Sequence, residues 1–454
     1  SSHNSGTNSP GGRSSYQSSC RTARGLPRIS LTDDDHEAPA EMTTTTDEAN
    51  GDEKVSDNGR GSSWPQIISP SPSLLPELDN EDSSAKKDIQ RRIISVPGVM
   101  NYVSPSTGVV STRRDASGSD SAIVGAEWTP TTLRVRNARR VSMTMDRNGF
   151  EVRPHPISNL DGGRVDFLDQ ADVVGRYYPL CERLVAEALG GTLDKDTEKG
   201  KSSSGKAKLI VRAFDHNVRS SAPSETAKIK GGSGEEEVQN PAGLVHADYT
   251  SVSAPTRLEQ LGKAPKRNDV RGRVGGAAAA ASEEEEEEKS GGGALLDADV
   301  AREVVEGKRR FAIVNVWRNV RTDGPVRRFP LACVDAATVR ASDLRTFQIH
   351  YEDRVGENYF VCPPPKEESN EEEKEGGSTR EHRWWYFPAM EMDEALLLKT
   401  WDSEGGMAKG RDRDGGEGGR STFTIHSAFD DPTSPPDAPP RTSIEVRCAV
   451  VWDD

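Results

Sequence analysis

Between Lys208 and Trp452 seven short runs of β-branched and aromatic residues recur, separated by turn formers, and this pattern constrains the fold more than any other feature. The runs are KLIVRAF (208–214), RRFAIVNVW (309–317), RTFQIHY (345–351), ENYFVC (357–362), RWWYF (383–387), STFTIHSAF (421–429) and TSIEVRCAVVW (442–452). Such residues fit the pleated, half-buried surface of a sheet, so the runs predict strands. Two segments read as helices instead. Pro179 sits where it can open one, with Leu180, Leu184, Val185, Ala188 and Leu189 as an apolar stripe before Gly190 and Gly191 stop it. Asp393 is placed to cap a second, running from Glu394 to Trp401. A strand-rich domain with a few outer helices predicts a sandwich or jelly roll.

The remaining sequence limits how much of the chain can fold. Hydrophobic residues are 33% of the 454, against roughly 45–50% in an average globular domain when Gly is counted as well. Residues 1–125 are dominated by Ser, Thr, Gly, Pro, Asp and Glu, and their only aromatics are Tyr16, Trp64 and Tyr102. So little burial does not offset the ordering entropy, which predicts a disordered tail followed by a single domain over 126–454. Polar inserts near 195–206, 221–239, 262–293, 366–380 and 403–420 interrupt that domain and read as surface loops. The third carries five Ala (277–281) and six Glu (283–288), a solvated charge run.

Charge and cysteine usage exclude several classes. With 59 Lys plus Arg against 74 Asp plus Glu, the net charge is −15. Neutralising nucleic-acid phosphates or an anionic membrane needs the opposite balance, so neither partner is expected. Cys20, Cys181, Cys333, Cys362 and Cys448 lie far apart with no CxxC pair, which suggests neither a disulfide framework nor a cysteine-rich zinc site. No run approaches the roughly 18 apolar residues that cross a bilayer, and SSHNSGTNSP has no apolar leader core. The expectation is a cytoplasmic protein with no membrane partner.

Eight histidines are present, and two open an H-x-(Asp/Glu) pattern: His246-Ala247-Asp248 and His350-Tyr351-Glu352. Chance alone supplies about one such pattern at this acidic content, so context must decide. In a strand, residues i and i+2 share a face, and His246 and Asp248 then present an imidazole beside a carboxylate. A histidine from a distant strand, with His426 the natural candidate, would complete the two-histidine, one-carboxylate triad that leaves positions open on ferrous iron. Fifteen residues further on, Arg441 and Ser443 open the last strand on one face. An arginine fork with a serine hydroxyl suits the distal carboxylate of 2-oxoglutarate. R-x-S recurs at Arg13, Arg28, Arg60, Arg140, Arg219 and Arg340, but only Arg441 follows at such spacing a histidine preceded by H-x-(Asp/Glu). The bland alternatives are a hydrogen-bonded His246–Asp248 pair and a satisfied core His426. His350 and Glu352 are a rival first pair with the same third ligand.

The blocks that surround these residues resemble a known family. Gly149-Phe150, VDFLD (165–169), YYP (177–179), FDHNVR (214–219), VHADYT (245–250), NVWR (315–318), FPLACVDA (329–336), GENYF (356–360), RWWYFPAM (383–390), LLLKTWDS (396–403), HSAFDDP (426–432) and RTSIEVR (441–447) occur in order over about residues 149–454. In these the chain resembles the fungal hydroxylase/desaturase family of the AsaB type, which is similar to the cephamycin 7-alpha-methoxylation protein and to gibberellin desaturase-like enzymes. The resemblance implies a distorted double-stranded β-helix and an Fe(II)- and 2-oxoglutarate-dependent oxidoreductase acting with O2 on a small-molecule secondary metabolite. It places iron on His246, Asp248 and His426 and the co-substrate on Arg441 and Ser443. Asp215, His216 and Arg219 would form either a charged cluster near that site or a buried ion pair at a sheet edge. Arg257, Asn315, Trp317 and Arg318 would be pocket-lining or core residues. The alternatives are a non-catalytic jelly-roll interaction module and an iron enzyme that does not use 2-oxoglutarate. Some members carry a methyltransferase label, but no glycine-rich loop follows a strand here to bind S-adenosylmethionine.

Overall fold

Every residue of Phe311–Asn319 is buried, with Phe311, Ile313 and Trp317 on one face and Ala312, Val314 and Val316 on the other, and it forms a central strand. In the computed structural model it belongs to a six-stranded sheet ordered β5 (Phe150–Pro154), β14 (Glu394–Asp402), β9 (Phe311–Asn319), β16 (Thr442–Asp453), β7 (Lys208–Ser220) and β6 (Thr192–Leu193). A ten-stranded sheet has the order β1 (Glu77–Leu78), β2 (Ile93–Val103), β4 (Trp128–Asn137), β13 (Trp384–Tyr386), β10 (Leu331–Val334), β15 (His426–Ala428), β8 (His246–Ala247), β12 (Val355–Val361), β11 (Leu344–His350) and β3 (Val110–Arg113). One core cluster joins the two: Val135, Ala332 and Trp384 from the larger sheet pack with Ile313, Ala449 and Val451 from the smaller. The result is a distorted double-stranded β-helix with peripheral helices, the architecture expected. The structure describes residues 65–74, 76–78, 93–114, 123–157, 163–194, 207–222, 238–265, 293–351, 355–365, 380–415 and 419–453. All of them fall within one unit, Arg60–Asp454.

The first expected helix forms over Tyr178–Ala188 with Pro179 in its first turn. Its Cys181, Leu184 and Val185 cover one face of the smaller sheet, against Val211, Val314, Val446 and Val450. The opposite face of that sheet turns inward to the site.

Two expectations fail. The segment Glu394–Trp401 is not a helix but β14, hydrogen-bonded to β5 on one side and β9 on the other. Its Ala, Leu and Lys favour a helix intrinsically, but Ala395 through Asp402 are all buried, and pairing on both edges overrides propensity. The folded region also begins well before residue 126. The run Ile93–Val103 pairs with β4 from Ser95 to Val103 and buries Ile93, Val96, Met100 and Tyr102; composition averaged over the first 125 residues hid this apolar run. Residues 403–415 of the last insert do form a surface loop, with 409–413 exposed, anchored by buried Asp414, which accepts from the backbone N–H of Met407 and the hydroxyl of Thr422. The bulk of the other four inserts, at 195–206, 223–237, 266–292 and 366–379, lies outside the described residues. Among the described residues no helix is long and apolar enough to cross a membrane.

Candidate metal centre

Two short strands bring the histidines together. Strand β8 pairs antiparallel with β15 so that His246 lies opposite His426, with ring centroids 4.4 Å apart. Asp248 follows β8 directly. Its Oδ1 lies 3.5 Å from His246 Nε2 and 3.8 Å from His426 Nε2. One donor atom from each of the three lies within 4.8 Å of the others. Each imidazole is held by its far nitrogen, since His246 Nδ1 donates to the Leu244 carbonyl at 3.0 Å and His426 Nδ1 to that of Thr424 at 3.2 Å. A carbonyl only accepts, so both rings keep their proton on Nδ1 and turn the Nε2 lone pair toward Asp248. Asn315 of β9 donates to Asp248 Oδ2 at 2.7 Å, which leaves Oδ1 facing the histidines. Gly149 helps set the approach to β15: at φ +91° only glycine is at ease, and a Cβ there would collide with the Thr424 hydroxyl.

The local electrostatics keep the donors in the form a cation needs. Burial, then the neighbouring His426, pushes His246 down to about 4. Burial opposes ionisation of Asp248, but His426, Arg447, His246 and the Asn315 hydrogen bond outweigh it and bring the carboxyl down to about 2. At neutral pH His246 is therefore a neutral imidazole beside an ionised Asp248 carboxylate. Donors a few ångströms apart leave room for a divalent cation about 2 Å from each, and three ligands on one side leave the other side open. The residues present thus fit such an ion.

The open side gives onto a cleft of about 450 Å³ including its mouth, whose floor is the smaller sheet. Strand alternation sends Ser443, Glu445 and Arg447 of β16 into it, joined by Arg441 just before the strand, with Asn217 and Arg219 of β7 and Trp317 of β9 beside them. Arg441 is buried and donates from Nη1 to the Phe329 carbonyl at 2.6 Å. Phe329 is itself held at φ 48°, a strained setting for a bulky residue that fixes its carbonyl. The Arg441 Nε is buried without a protein hydrogen-bond partner, and its guanidinium lies 5.7 Å from the Trp317 ring centroid. Burial, then the charge of Arg219, lowers Arg441 to about 9. Deeper in, burial and then Asp248 raise Glu445. Arg447 bonds both Asp215, at 2.8 Å, and Glu445, at 3.3 Å.

All five expected site residues therefore meet at one cleft. The rival pair does not: His350 ends β11, outside the cluster, and Glu352 lies outside the described residues. Two expected groupings are split by strand faces. Asp215 and Arg219 point toward the cleft side, whereas His216 points the other way and meets the Tyr178 hydroxyl at 2.8 Å. Likewise Asn315 and Trp317 face the site, while Arg318 is buried beneath the sheet with Tyr177, His155 and Met392. Glu445 and Arg447 were not singled out, although the period of two in RTSIEVR puts them on the face of Arg441 and Ser443.

Two histidines and a carboxylate at the open end of a double-stranded β-helix are characteristic of non-haem iron oxidoreductases. The chain belongs to the family described as Oxidoreductase/YMDC permease-like domain, whose model matches residues 100–275 and 293–451. A Methylophilus leisingeri protein named "Uncharacterized protein in dcmA 3'region" is 34% identical over 47% of this chain and 82% of its own length. The hydroxylase/desaturase asaB of Aspergillus flavus is 33% identical over 32% of this chain and 58% of its own. The Fe(II)/2-oxoglutarate-dependent dioxygenase nvfI of Aspergillus novofumigatus is 27% identical over 71% and 84%. A solved structure of the iron and alpha-ketoglutarate-dependent endoperoxidase NvfI shares the fold, with TM-score 0.50 and 21% identity over 80% of this chain and 99% of that one. The resemblance to hydroxylase/desaturase proteins is thereby borne out. Its alignment with asaB spans less than two thirds of that relative.

Proposed function

We propose that the chain is an Fe(II)- and 2-oxoglutarate-dependent hydroxylase or desaturase that acts with O2 on a small-molecule secondary metabolite. His246, Asp248 and His426 hold the iron, and Arg441 with Ser443 binds the distal carboxylate of 2-oxoglutarate. The observation that carries this reading is the pairing of a three-donor cluster, both imidazoles fixed through Nδ1, with a buried guanidinium whose Nε has no protein partner, on one cleft. Relatives named for iron and 2-oxoglutarate support it. Bound iron, 2-oxoglutarate and O2 would supply the oxidant that removes hydrogen from an unactivated carbon.

The protein's own contribution is positional. Asn315 keeps Asp248 Oδ1 turned to the histidines. The Phe329 carbonyl and the Trp317 ring hold the Arg441 guanidinium in place, so that a carboxylate meets a preset fork. Hydroxylation and desaturation use these same residues and differ only in whether the substrate radical gains oxygen or loses a second hydrogen. The net charge of −15 disfavours nucleic acid and anionic membrane as partners, and five separated cysteines with no CxxC pair favour a reducing compartment such as the cytoplasm.

Anaerobic protein mixed with ferrous iron and 2-oxoglutarate tests the reading without knowledge of the substrate. A visible metal-to-ligand charge-transfer band is expected for the unaltered chain and is lost in Asp248→Ala and Arg441→Ala. Iron bound without a band would remove 2-oxoglutarate from the scheme, and no iron at all would remove the metal centre.

A further inference from the structure

The FDHNVR block contributes more to the cleft than the triad requires. The register of β7 against β16 shifts between Arg447 and Cys448, so that Arg447 faces Asp215 and Cys448 faces Ala213. Phe214 is the extra residue of a bulge. From there on Asp215, Asn217 and Arg219 lie on the cleft side. Asp215 and Glu445 both bond to Arg447. At the other end of the same face stand Arg219 and Arg441, with no carboxylate in ion-pair contact with either among the described residues. Arg219 lies directly across from Ser443, two residues from Arg441 on the neighbouring strand, and all three line one cleft. One Arg219 hydrogen bond is described, from Nη1 to the Asn240 carbonyl at 2.8 Å, which leaves the rest of its fork available to a ligand.

Two guanidiniums that converge in a half-dry cleft repel each other, and the repulsion is relieved when an anion sits between them. Consistent with this, the charge of Arg219 ranks next after burial among the influences that lower Arg441. A carboxylate has enough lone pairs to accept from both arginines and from the Ser443 hydroxyl together.

We propose that Arg219 and Arg441, with Ser443 between them, clamp the distal carboxylate of the co-substrate from two strands, so that the pocket selects a dicarboxylic 2-oxo acid over a monocarboxylic one. This rests on the function proposed above. Arg441 anchors one side of the carboxylate and Arg219 closes the other; without Arg219 the fork still binds, but less tightly and with less discrimination.

The experiment titrates 2-oxoglutarate, and separately pyruvate, into anaerobic full-length protein with ferrous iron, followed by the charge-transfer band, for the unaltered chain, Arg219→Met and Arg219→Lys. Melting temperatures of the ligand-free forms are measured alongside. Arg219→Met is expected to weaken 2-oxoglutarate by about tenfold or more, with partial recovery in Arg219→Lys. Pyruvate, which lacks the second carboxylate, is expected to bind the unaltered chain more weakly and to be indifferent to the substitution. The melting temperature of ligand-free Arg219→Met is expected to stay close to that of the unaltered chain, since the relieved repulsion of Arg441 is set against the lost attraction of Glu445 and the Asn240 hydrogen bond. Equal 2-oxoglutarate affinity in Arg219→Met while the unaltered chain binds well would overturn the clamp alone. Lower melting of the ligand-free variant, with pyruvate and 2-oxoglutarate weakened alike, would overturn it in favour of a strand tether. Absence of 2-oxoglutarate binding to the unaltered chain would overturn both the clamp and the function on which it rests.

Discussion

The two faces of β16 carry opposite kinds of side chain. Ile444, Val446, Cys448 and Val450 lie on one face and pack with the helix Tyr178–Ala188 in an apolar layer. Ser443, Glu445 and Arg447 lie on the other, with Arg441 just before the strand, and line the cleft. A period of two therefore separates stability from chemistry within a single strand. The inner face concentrates charge that burial makes costly, and the outer face supplies the apolar contact that offsets that cost.

Substitutions on each face should accordingly separate binding from stability. The largest effect is expected at the triad, where Asp248→Ala abolishes iron binding, measured by metal content after gel filtration, while the melting temperature stays close to that of the unaltered metal-free chain. On the opposite face, Ile444→Ala removes a fully buried side chain and should cost about 2–5 kcal/mol in urea unfolding. The folded fraction of that variant should bind 2-oxoglutarate normally; a matching loss of affinity would show that the faces are not independent. A smaller effect is expected at Asn315→Ala, which frees Asp248 Oδ2 and should weaken iron by about 10–100-fold.

The smallest predicted effect is a pH dependence confined to the cleft face. Burial opposes ionisation of Asp215, but Arg447, Arg257 and His216 outweigh it and hold its carboxyl below the ordinary value. A depressed carboxylate stabilises the fold above its unfolded pKa, about 4, and that contribution is lost as pH falls through the folded value. Asp215→Asn should therefore lower stability at pH 7 and converge with the unaltered chain as the solution is acidified. A stability gap that stays constant down to strong acid would rule out this origin.

How much of this was legible in the sequence varies residue by residue. The strand runs were readable because β-branched and aromatic residues between turn formers have few other uses, and all seven contain a strand of the structure. His246, Asp248, His426, Arg441 and Ser443 were readable because H-x-D and R-x-S place their members on one face of any strand. Leu396, Leu397 and Leu398 were misread because a continuous apolar run fits a buried strand as well as a helix, and only the edges of β5 and β9 decide between them. His216 was grouped with Asp215 and Arg219 although a period of two sets it on the other side of a strand from both; which side faces the cleft depends on the bulge at Phe214 and its partner strand. The role of Asn315 was out of reach for a similar reason, since its partner Asp248 lies 67 residues away.

By itself, then, the sequence determined the local pairs: which residues alternate to one side of a strand, and therefore that an imidazole sits beside a carboxylate and an arginine beside a serine. Those relations follow from backbone geometry over two residues and hold in any fold that makes the strands. Only the tertiary structure decided that His426 stands opposite His246, that Asn315 holds Asp248, and that Arg219 and Arg441 share one cleft. Contacts of that kind are set by strand order and register between segments far apart in the chain, where burial of the whole core, not local preference, selects the arrangement.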